Sequence, residues 1–546
     1  MLLEIRCDRF KSYGELRPPI AFHAGLNTVL GSETGSNSIG KSTFLMTVDF
    51  AFGGDDYVLK STDVQTQVGP HSIQFAFEFN GKRHFFSRET INHTRVIRCD
   101  AEYNPISEMS RDEFRTFLFE QYGIKLPLIT FRDMVGRYFR IYGRDNLDEK
   151  RPLHAAKGEA PKKAITALMM LFNKYAAVHD LEKAVDESKN QKDAYKRVQE
   201  FHFIPRIGKR QFAANEKRIE ELQTELAQLQ ESSGNELMGL DSQQVEFLAE
   251  LRRKLTAVKR QKSRLTSQLT VIESDISTDI ADSPRQHSNF QALLRFFPDA
   301  NLKKIEDIEQ FHHQLVGILN AEYEEARRRY LSLIELATNE IRVLENEIRA
   351  SGLTPKVSRT LLEEYASKKG QIKALEKENE TYSKMEELKT AAKNMEERLI
   401  ALQEEQIGFL QSAINVQMDE INDVVYQGEK KPPVLTIKRP NSYTFLTPDD
   451  TGTGTSYKGL VVFDLAVMQL TPLPALVHDS VILKQIADEP LERILELYSS
   501  TPKQVFIALD KKGSYSEKTQ AILEENTVIH LSDNGNELFG YSWNIK

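Results

Sequence analysis

Apolar positions along the 546-residue chain fall into three regimes. In the first, Ser72 to Phe79 places Ile73, Phe75, Phe77 and Phe79 at every second position, the period of a half-buried strand. Asn80-Gly81 separates this run from Arg83-His84-Phe85-Phe86 and predicts a hairpin. Leu2 to Arg6 and Ile20-Ala21-Phe22 read as further strands. Leu26 to Leu30 reads as a short strand that runs directly into Gly31, and the helix expected from Thr43 onward is closed by the Gly53-Gly54-Asp55-Asp56 turn.

From about Ala160 to Gly408 the period changes to that of a helix, and Glu, Lys, Gln, Leu and Ala dominate. Leu248, Leu251, Leu255, Val258, Leu265, Leu269, Ile272 and Ile276 step by three and four, a heptad seam interrupted by Lys262. Related spacings recur at Ile219-Leu222-Leu226-Leu229, Ile334-Ile341-Leu344-Ile348 and Leu388-Met395-Leu399-Leu402. Such spacing serves a long coiled coil or the core of a helical bundle. Proline and polar residues break it between Asp282-Ser283-Pro284 and Phe297-Pro298-Asp299, which predicts a turn near 282–299 joining two antiparallel arms. Lesser breaks at Glu231 to Gly234 and Ser351 to Pro355 are expected to face each other as a joint.

In the third regime, after Gly428, strand-like runs return. Val434 to Ile437 lies between prolines, Thr451 to Ser456 precedes an apolar helix from Leu460 to Leu470, and Pro474 to Val477 runs into His478-Asp479-Ser480. Gln504 to Leu509 is the next strand, ending at Asp510-Lys511.

Composition narrows the partners. With 72 basic and 80 acidic residues the formal net charge is -8, so bulk charge does not hold this chain to nucleic acid and any DNA contact must come from local patches. Cys7 and Cys99 are the two cysteines, which suits a reducing compartment rather than a disulfide framework. No apolar run nears the ~18 residues of a membrane span, and Met1 to Arg6 is too short for a signal peptide. The expectation is a cytoplasmic protein with no membrane partner.

The most specific chemistry lies in Gly31 to Thr43, GSETGSNSIGKST. Gly35, Gly40, Lys41 and Ser42 satisfy G-x-x-x-x-G-K-[ST], between a strand and a helix. The glycines let the backbone amides of the loop, including those of Ser36, Asn37, Ser38 and Ile39, turn toward phosphate oxygens, and the helix beginning near Thr43 adds its positive end. Lys41 is expected to reach the outer phosphates and Ser42 to ligate Mg²⁺. A nucleotide and Mg²⁺ are therefore the expected ligands. At the far end of the chain, Gly454, Thr455 and Ser456 at a helix start suit a second anion site, or a flexible linker. Arg132, Arg137 and Arg140 fit either phosphate contacts or a solvated face.

A first strand, Arg9-Phe10-Lys11-Ser12-Tyr13, then I-x-F-x-x-G-L-N and the loop together resemble the N-terminal half of the SMC, RecF and RecN-type ATP-binding cassette ATPases. The resemblance implies an α/β fold: an ATPase head with a mixed sheet, assembled from residues 1–155 and 415–546 and interrupted by an antiparallel coiled-coil hairpin over 156–414. It implies that Arg9, Lys11 and Ser12 lie near the nucleotide. It also puts Gly454, Thr455 and Ser456 where the family's signature motif contacts the γ-phosphate of a second head, although the leucine-serine-glycine-glycine pattern is missing. Asp479 matches the Walker B aspartate that assists Mg²⁺. Ser480 falls where the catalytic glutamate belongs, so the implied ATPase is slow or draws its base from another group such as His478. Asp510-Lys511 replaces the family's switch histidine, and no glutamine stands at the Q-loop position.

The combination is similar to an SMC-like bacterial branch tied to multi-component anti-phage defence. That implies a homodimer joined through ATP-bound heads on double-stranded DNA, with a separate effector. Recombination or break repair is the alternative within the family. A P-loop kinase with a helical insert and a nucleotide-locked scaffold with little turnover are the alternatives outside it.

Overall fold

The computed structural model describes residues 1–33, 35–232, 242–281, 302–350 and 359–543. They divide into two compact units, one of Met1–Lys189 with Ala391–Lys546 and one of Asn190–Thr390. The first unit reaches further into the helical region than residues 155 and 414, for a packing reason. Ile165, Leu168, Val178, Leu410, Ile414 and Met418 all turn into the same core as the sheets.

The first unit contains mixed α/β structure with two principal sheets. In chain order the strands are β1 (Leu2–Arg6), β2 (Lys11–Ser12), β3 (Glu15–Leu16), β4 (Ile20–Ala21), β5 (Gly25–Leu30), β6 (Ser72–Phe79), β7 (Lys82–Glu89), β8 (Arg95–Cys99), β9 (Pro105–Ser110), β10 (Phe139–Arg140), β11 (Val434–Arg439), β12 (Ser442–Leu446), β13 (Ala475–His478), β14 (Gln504–Leu509) and β15 (Thr527–His530). An antiparallel sheet runs β4-β1-β6-β7-β8-β9, and a parallel sheet runs β10-β13-β14-β5-β15. The hairpin expected at Asn80-Gly81 joins β6 to β7, with both turn residues at positive φ.

The parallel sheet is closed only by residues from both ends of the chain. Strand β5 pairs with β14 on one side, Leu30 opposite Leu509, and with β15 on the other. Every residue of β5 and β14 is buried, as expected of a parallel strand covered on both faces. The Gln504 side chain strengthens the join, accepting from the Leu2 amide and donating to the Leu2 carbonyl, both at 2.8 Å.

The helix Lys41–Ala51 lies between the sheets, which is why residues on all its sides are buried. It ends at Phe52, whose ring stands 5.4 Å from Phe77 of the antiparallel sheet and 5.2 and 6.2 Å from Phe139 and Phe506 of the parallel one. Such edge-on aromatic contacts lock the helix between the layers. Its buried Asp49 pairs with Arg132 at 2.6 Å and Arg144 at 2.7 Å. Burial alone would raise the Asp49 carboxyl, and these guanidinium groups hold it below its usual value.

The three arginines offered by sequence as phosphate ligands or a solvated face are neither. Arg132 is spent on Asp49, Arg137 forks onto Glu159 at 2.6 and 2.8 Å, and Arg140 is fully buried against Asp464 at 2.7 Å. Each guanidinium is committed to a carboxylate of the fold, which is why none of the three is turned out toward water or a phosphate.

In the second unit, Ser242–Ala281 and Leu302–Ala350 lie side by side. Leu251, Val258, Ala337 and Leu344 form their core, flanked by Leu255, Ile341 and Ile348. Ion pairs Lys259–Glu345 (2.8 Å) and Glu273–Arg327 (3.3 Å) run in opposite numerical senses, so the helices are antiparallel. Lys209–Ser232 likewise meets Arg359–Tyr426 antiparallel, with Asn215 donating to Glu378 and Asn379, and Glu225 paired with Lys368. The turn expected at 282–299, the breaks at 233–234 and 351–355, and the side chains of Leu248 and Ile276 lie outside the described residues. Among the described residues no helix is long and apolar enough to cross a membrane.

Candidate functional site

Parallel strands bring their following loops to one edge, which is where α/β folds bind ligands. Here the loops after β5, β13 and β14 meet at that edge. The loop after β5 leaves the sheet at Gly31, whose amide donates to the Leu509 carbonyl at 2.7 Å. A Cβ at Gly31 would lie 1.9 Å from an Asp510 carboxylate oxygen, so only glycine lets Asp510 approach. Gly35, Ser38 and Gly40 take positive φ values of 70°, 60° and 95°. Gly40 is doubly constrained, since a Cβ there would meet the Leu538 side chain at 2.5 Å.

Lys41 opens the helix and is buried, 7% exposed. Its ammonium donates to the Ser36 carbonyl at 2.9 Å and pairs with Asp510 at 2.7 Å. The other oxygen of Asp510 pairs with Lys484 at 2.5 Å. Asp510 is thus clamped between two ammonium groups, its own side chain without exposed surface, while that of Lys484 is 41% exposed. Ser42 and Thr43 are half-buried in the first turn of the helix.

Asp479 follows β13, with β14 standing between it and the strand that feeds the loop. It caps the short helix Ser480–Leu483, accepting from the Ser480 amide at 2.6 Å and from the Tyr142 amide at 2.9 Å. The Ser480 hydroxyl donates to the same carboxylate at 3.2 Å. Mg²⁺ takes hard oxygen donors, commonly one or two carboxylates beside phosphates and water. The Ser42 hydroxyl and the Asp479 carboxylate fit that donor set. No group of three or more His, Cys, Asp or Glu able to hold a metal occurs among the described residues.

His478 is not placed to activate water. Its Nε2 faces Asp464 at 2.9 Å, its Nδ1 faces the Tyr498 hydroxyl at 2.6 Å, and the residue has no exposed surface. Asp464 accepts from Nε2, which leaves Nδ1 to accept from Tyr498. With Arg140 the four side chains form a closed interior network.

Arg9 is exposed and lies 3.8 Å from Asp8. Lys11 and Ser12 reach the loop at one remove. The Lys11 amide donates to the Leu538 carbonyl at 3.1 Å and the Ser12 hydroxyl to Asn536 at 2.7 Å, while the Leu538 amide donates to the Ile39 carbonyl at 3.0 Å. Gly454, Thr455 and Ser456 are half-buried at the start of the helix Thr453–Leu470. Asp450 accepts from the Gly452 amide at 2.9 Å and the Thr455 hydroxyl at 2.8 Å, and those bonds, the amide first, hold its carboxyl below the usual value. A Cβ on Gly454 would stand 2.7 Å from the Gln485 carbonyl, the residue after Lys484.

The structure therefore gathers Lys41, Asp510 and Lys484. Sequence reasoning passed over Lys484 and the segment 536–543. The only local signal for Lys484 was its place five residues after Asp479, and segment 536–543 carries no motif at all.

The sequence profile of a family described as "Uncharacterised protein conserved in bacteria (DUF2326)" matches residues 418–543. No curated protein matches the chain. Among solved structures, it is similar to the Smc head domain with a coiled coil and joint from Pyrococcus yayanosii, at 14% identity over 99% of this chain and 96% of that one, with a TM-score of 0.43. It is also similar to the Smc head domain with an extended coiled coil, bound to the C-terminal domain of ScpA, from Pyrococcus furiosus, at 12% identity over 99% and 94% of the two chains, with a TM-score of 0.37. At scores this low, the reading of the site rests on its own geometry.

Proposed function

We propose that the chain is an SMC-like ATPase that binds ATP with Mg²⁺ in the loop 31–43 and joins a second copy head to head across the nucleotide on double-stranded DNA. The observation that carries the nucleotide part is Lys41. It stands in a glycine loop at the C-terminal edge of a parallel sheet, its ammonium held by one carboxylate that phosphate oxygens can replace. When a triphosphate enters, Lys41 exchanges Asp510 for the outer phosphates, Ser42 and Asp479 hold the metal that screens them, and Lys484 keeps Asp510 paired. Gly454, Thr455 and Ser456 serve the phosphate of the partner copy. The DNA target, the separate effector and a role in defence rest on the resemblance of the whole combination, two head halves split by a coiled-coil hairpin, to an SMC-like bacterial branch tied to multi-component anti-phage defence.

A scaffold that holds its nucleotide with little turnover is favoured over fast cycling by one observation. Ser480 offers a hydroxyl already given to Asp479, and His478 is sealed inside. The test is light scattering of the purified chain with ATP and Mg²⁺, with and without linear duplex DNA. A doubling of mass with ATP, abolished by Lys41→Ala, is expected. An unchanged mass in the face of measured ATP binding would sink the dimer.

A further inference from the structure

The loop has a second face. A cavity of about 340 Å³ opens beside Gly40 and Thr43, walled on the other side by Asp63, Phe539, Tyr541 and Trp543. Neither Lys41 nor Asp510 is among the described residues that line it. The cavity thus adjoins the phosphate cradle without including the ammonium that reaches into the strand ends. Its wall is built rather than accidental. The Leu538 amide bonds the Ile39 carbonyl at 3.0 Å, the Trp543 ring stands 5.8 Å from Phe539 and 5.9 Å from Tyr541, and the indole N–H donates to Asp63 at 3.2 Å. The Tyr541 hydroxyl donates to the Gln67 carbonyl at 3.1 Å.

We propose that this cavity seats the base of the bound nucleotide, and that Trp543 and Asp63 favour a base bearing an exocyclic amino group. The proposal rests on reading the loop as a phosphate cradle. If Lys41 marks the outer phosphates, the sugar and base must leave the loop away from Lys41, and Thr43 lines the cavity on that course. A volume near 340 Å³ lies within the range of small-ligand sites. An indole offers a flat face on which any base stacks, so Trp543 supplies affinity. Discrimination falls to Asp63. A carboxylate only accepts hydrogen bonds and has room for donors besides the indole N–H. An amino group on the base satisfies it, whereas the O4 carbonyl of uracil would set lone pairs against it.

Trp543 is the chain's single tryptophan, so tryptophan emission, excited beyond the tyrosine absorption band, reports this site alone. The experiment titrates the full chain with ATP, UTP and inorganic tripolyphosphate, each with Mg²⁺, following emission and heat together. ATP should change the emission, tripolyphosphate should bind by heat with the emission unmoved, and UTP should bind about tenfold more weakly than ATP. Trp543→Ala should weaken ATP about tenfold, within the range of one stacked base, and leave tripolyphosphate affinity unchanged, which also confirms the variant is folded. Asp63→Asn should narrow the gap between ATP and UTP. ATP binding by heat with silent emission and full affinity in Trp543→Ala would overturn the base site while leaving the phosphate cradle intact. If neither ATP nor tripolyphosphate binds, the cradle and the base site fall together.

Discussion

Lys41 and Asp510 form a buried ion pair at 2.7 Å, joining the first residue of the helix after β5 to the residue that ends β14. The ammonium that a phosphate loop must offer to its ligand is already neutralised by a carboxylate of the protein. On the proposed function, nucleotide binding at this site is an exchange of anions, and the two partners should respond to substitution in opposite directions.

Lys41→Ala removes charge-assisted hydrogen bonds, each worth about 1.5–3 kcal/mol, so ATP affinity should fall by at least about tenfold. Asp510→Asn should do the reverse, because ATP no longer competes with a carboxylate for Lys41. The facing ammonium groups of Lys41 and Lys484 should make that variant less stable at low salt. Calorimetric titration and urea unfolding check the pair. Weaker ATP binding by Asp510→Asn would mean that the carboxylate assists binding instead of opposing it.

Ser480→Glu is expected to raise the rate of ATP hydrolysis. The position is half-buried at the start of a short helix, beside Asp479, and a glutamate there adds the missing carboxylate base. General-base assistance is worth roughly 10² to 10⁴-fold, and a gain of at least about tenfold is predicted in a steady-state phosphate-release assay. An unchanged rate together with brisk turnover by the native chain would show that another carboxylate already fills the role.

His478→Ala should lower stability rather than change the chemical step. It leaves the Tyr498 hydroxyl and one contact of Asp464 unmet in an interior without exposed surface. Each stranded group costs about 1–3 kcal/mol, so the urea midpoint should drop clearly while kcat per folded molecule stays the same. A lost kcat at an unshifted midpoint would return His478 to the list of candidate bases.

Lys458, on the helix Thr453–Leu470, gives a pH signature. Burial lowers its pKa to about 8, and the ammonium donates to Asn422 at 2.8 Å. The unfolded chain therefore binds a proton that the folded chain releases between about pH 8 and the ordinary lysine value of 10.5. Stability must rise with pH across that window, since the unfolded state binds more protons there. Below about pH 8 the cost of burying the charge is fully present. Lys503 is lowered to about 8 as well and adds to the same trend. Comparison with Lys458→Met isolates the one group. The stability of the native chain relative to this variant should increase from pH 8 to 10, and a constant difference would refute the assignment.

Local pattern along the chain was enough for the kind of element in each region and for singling out the loop 31–43 as a candidate. Gly35, Gly40, Lys41 and Ser42 carry their meaning in spacing alone. The alternation in Ser72–Phe79 and the heptad steps from Leu251 to Val258 report a buried face directly, because side-chain direction follows backbone period. What covers a buried face or answers a buried charge is not a local matter. The sequence could not say that β5 would be flanked by β14 and β15, that Arg140 would meet Asp464 from 324 residues away, or that His478 would be closed in by Asp464 and Tyr498. Charged side chains look alike in a string whether they end in water or in an ion pair, and only folding sets their partners. For the same reason Lys41 was legible as a candidate phosphate ligand, while its partner Asp510, and through it Lys484, emerged only when parallel strands from opposite ends of the chain brought their loops to a common edge.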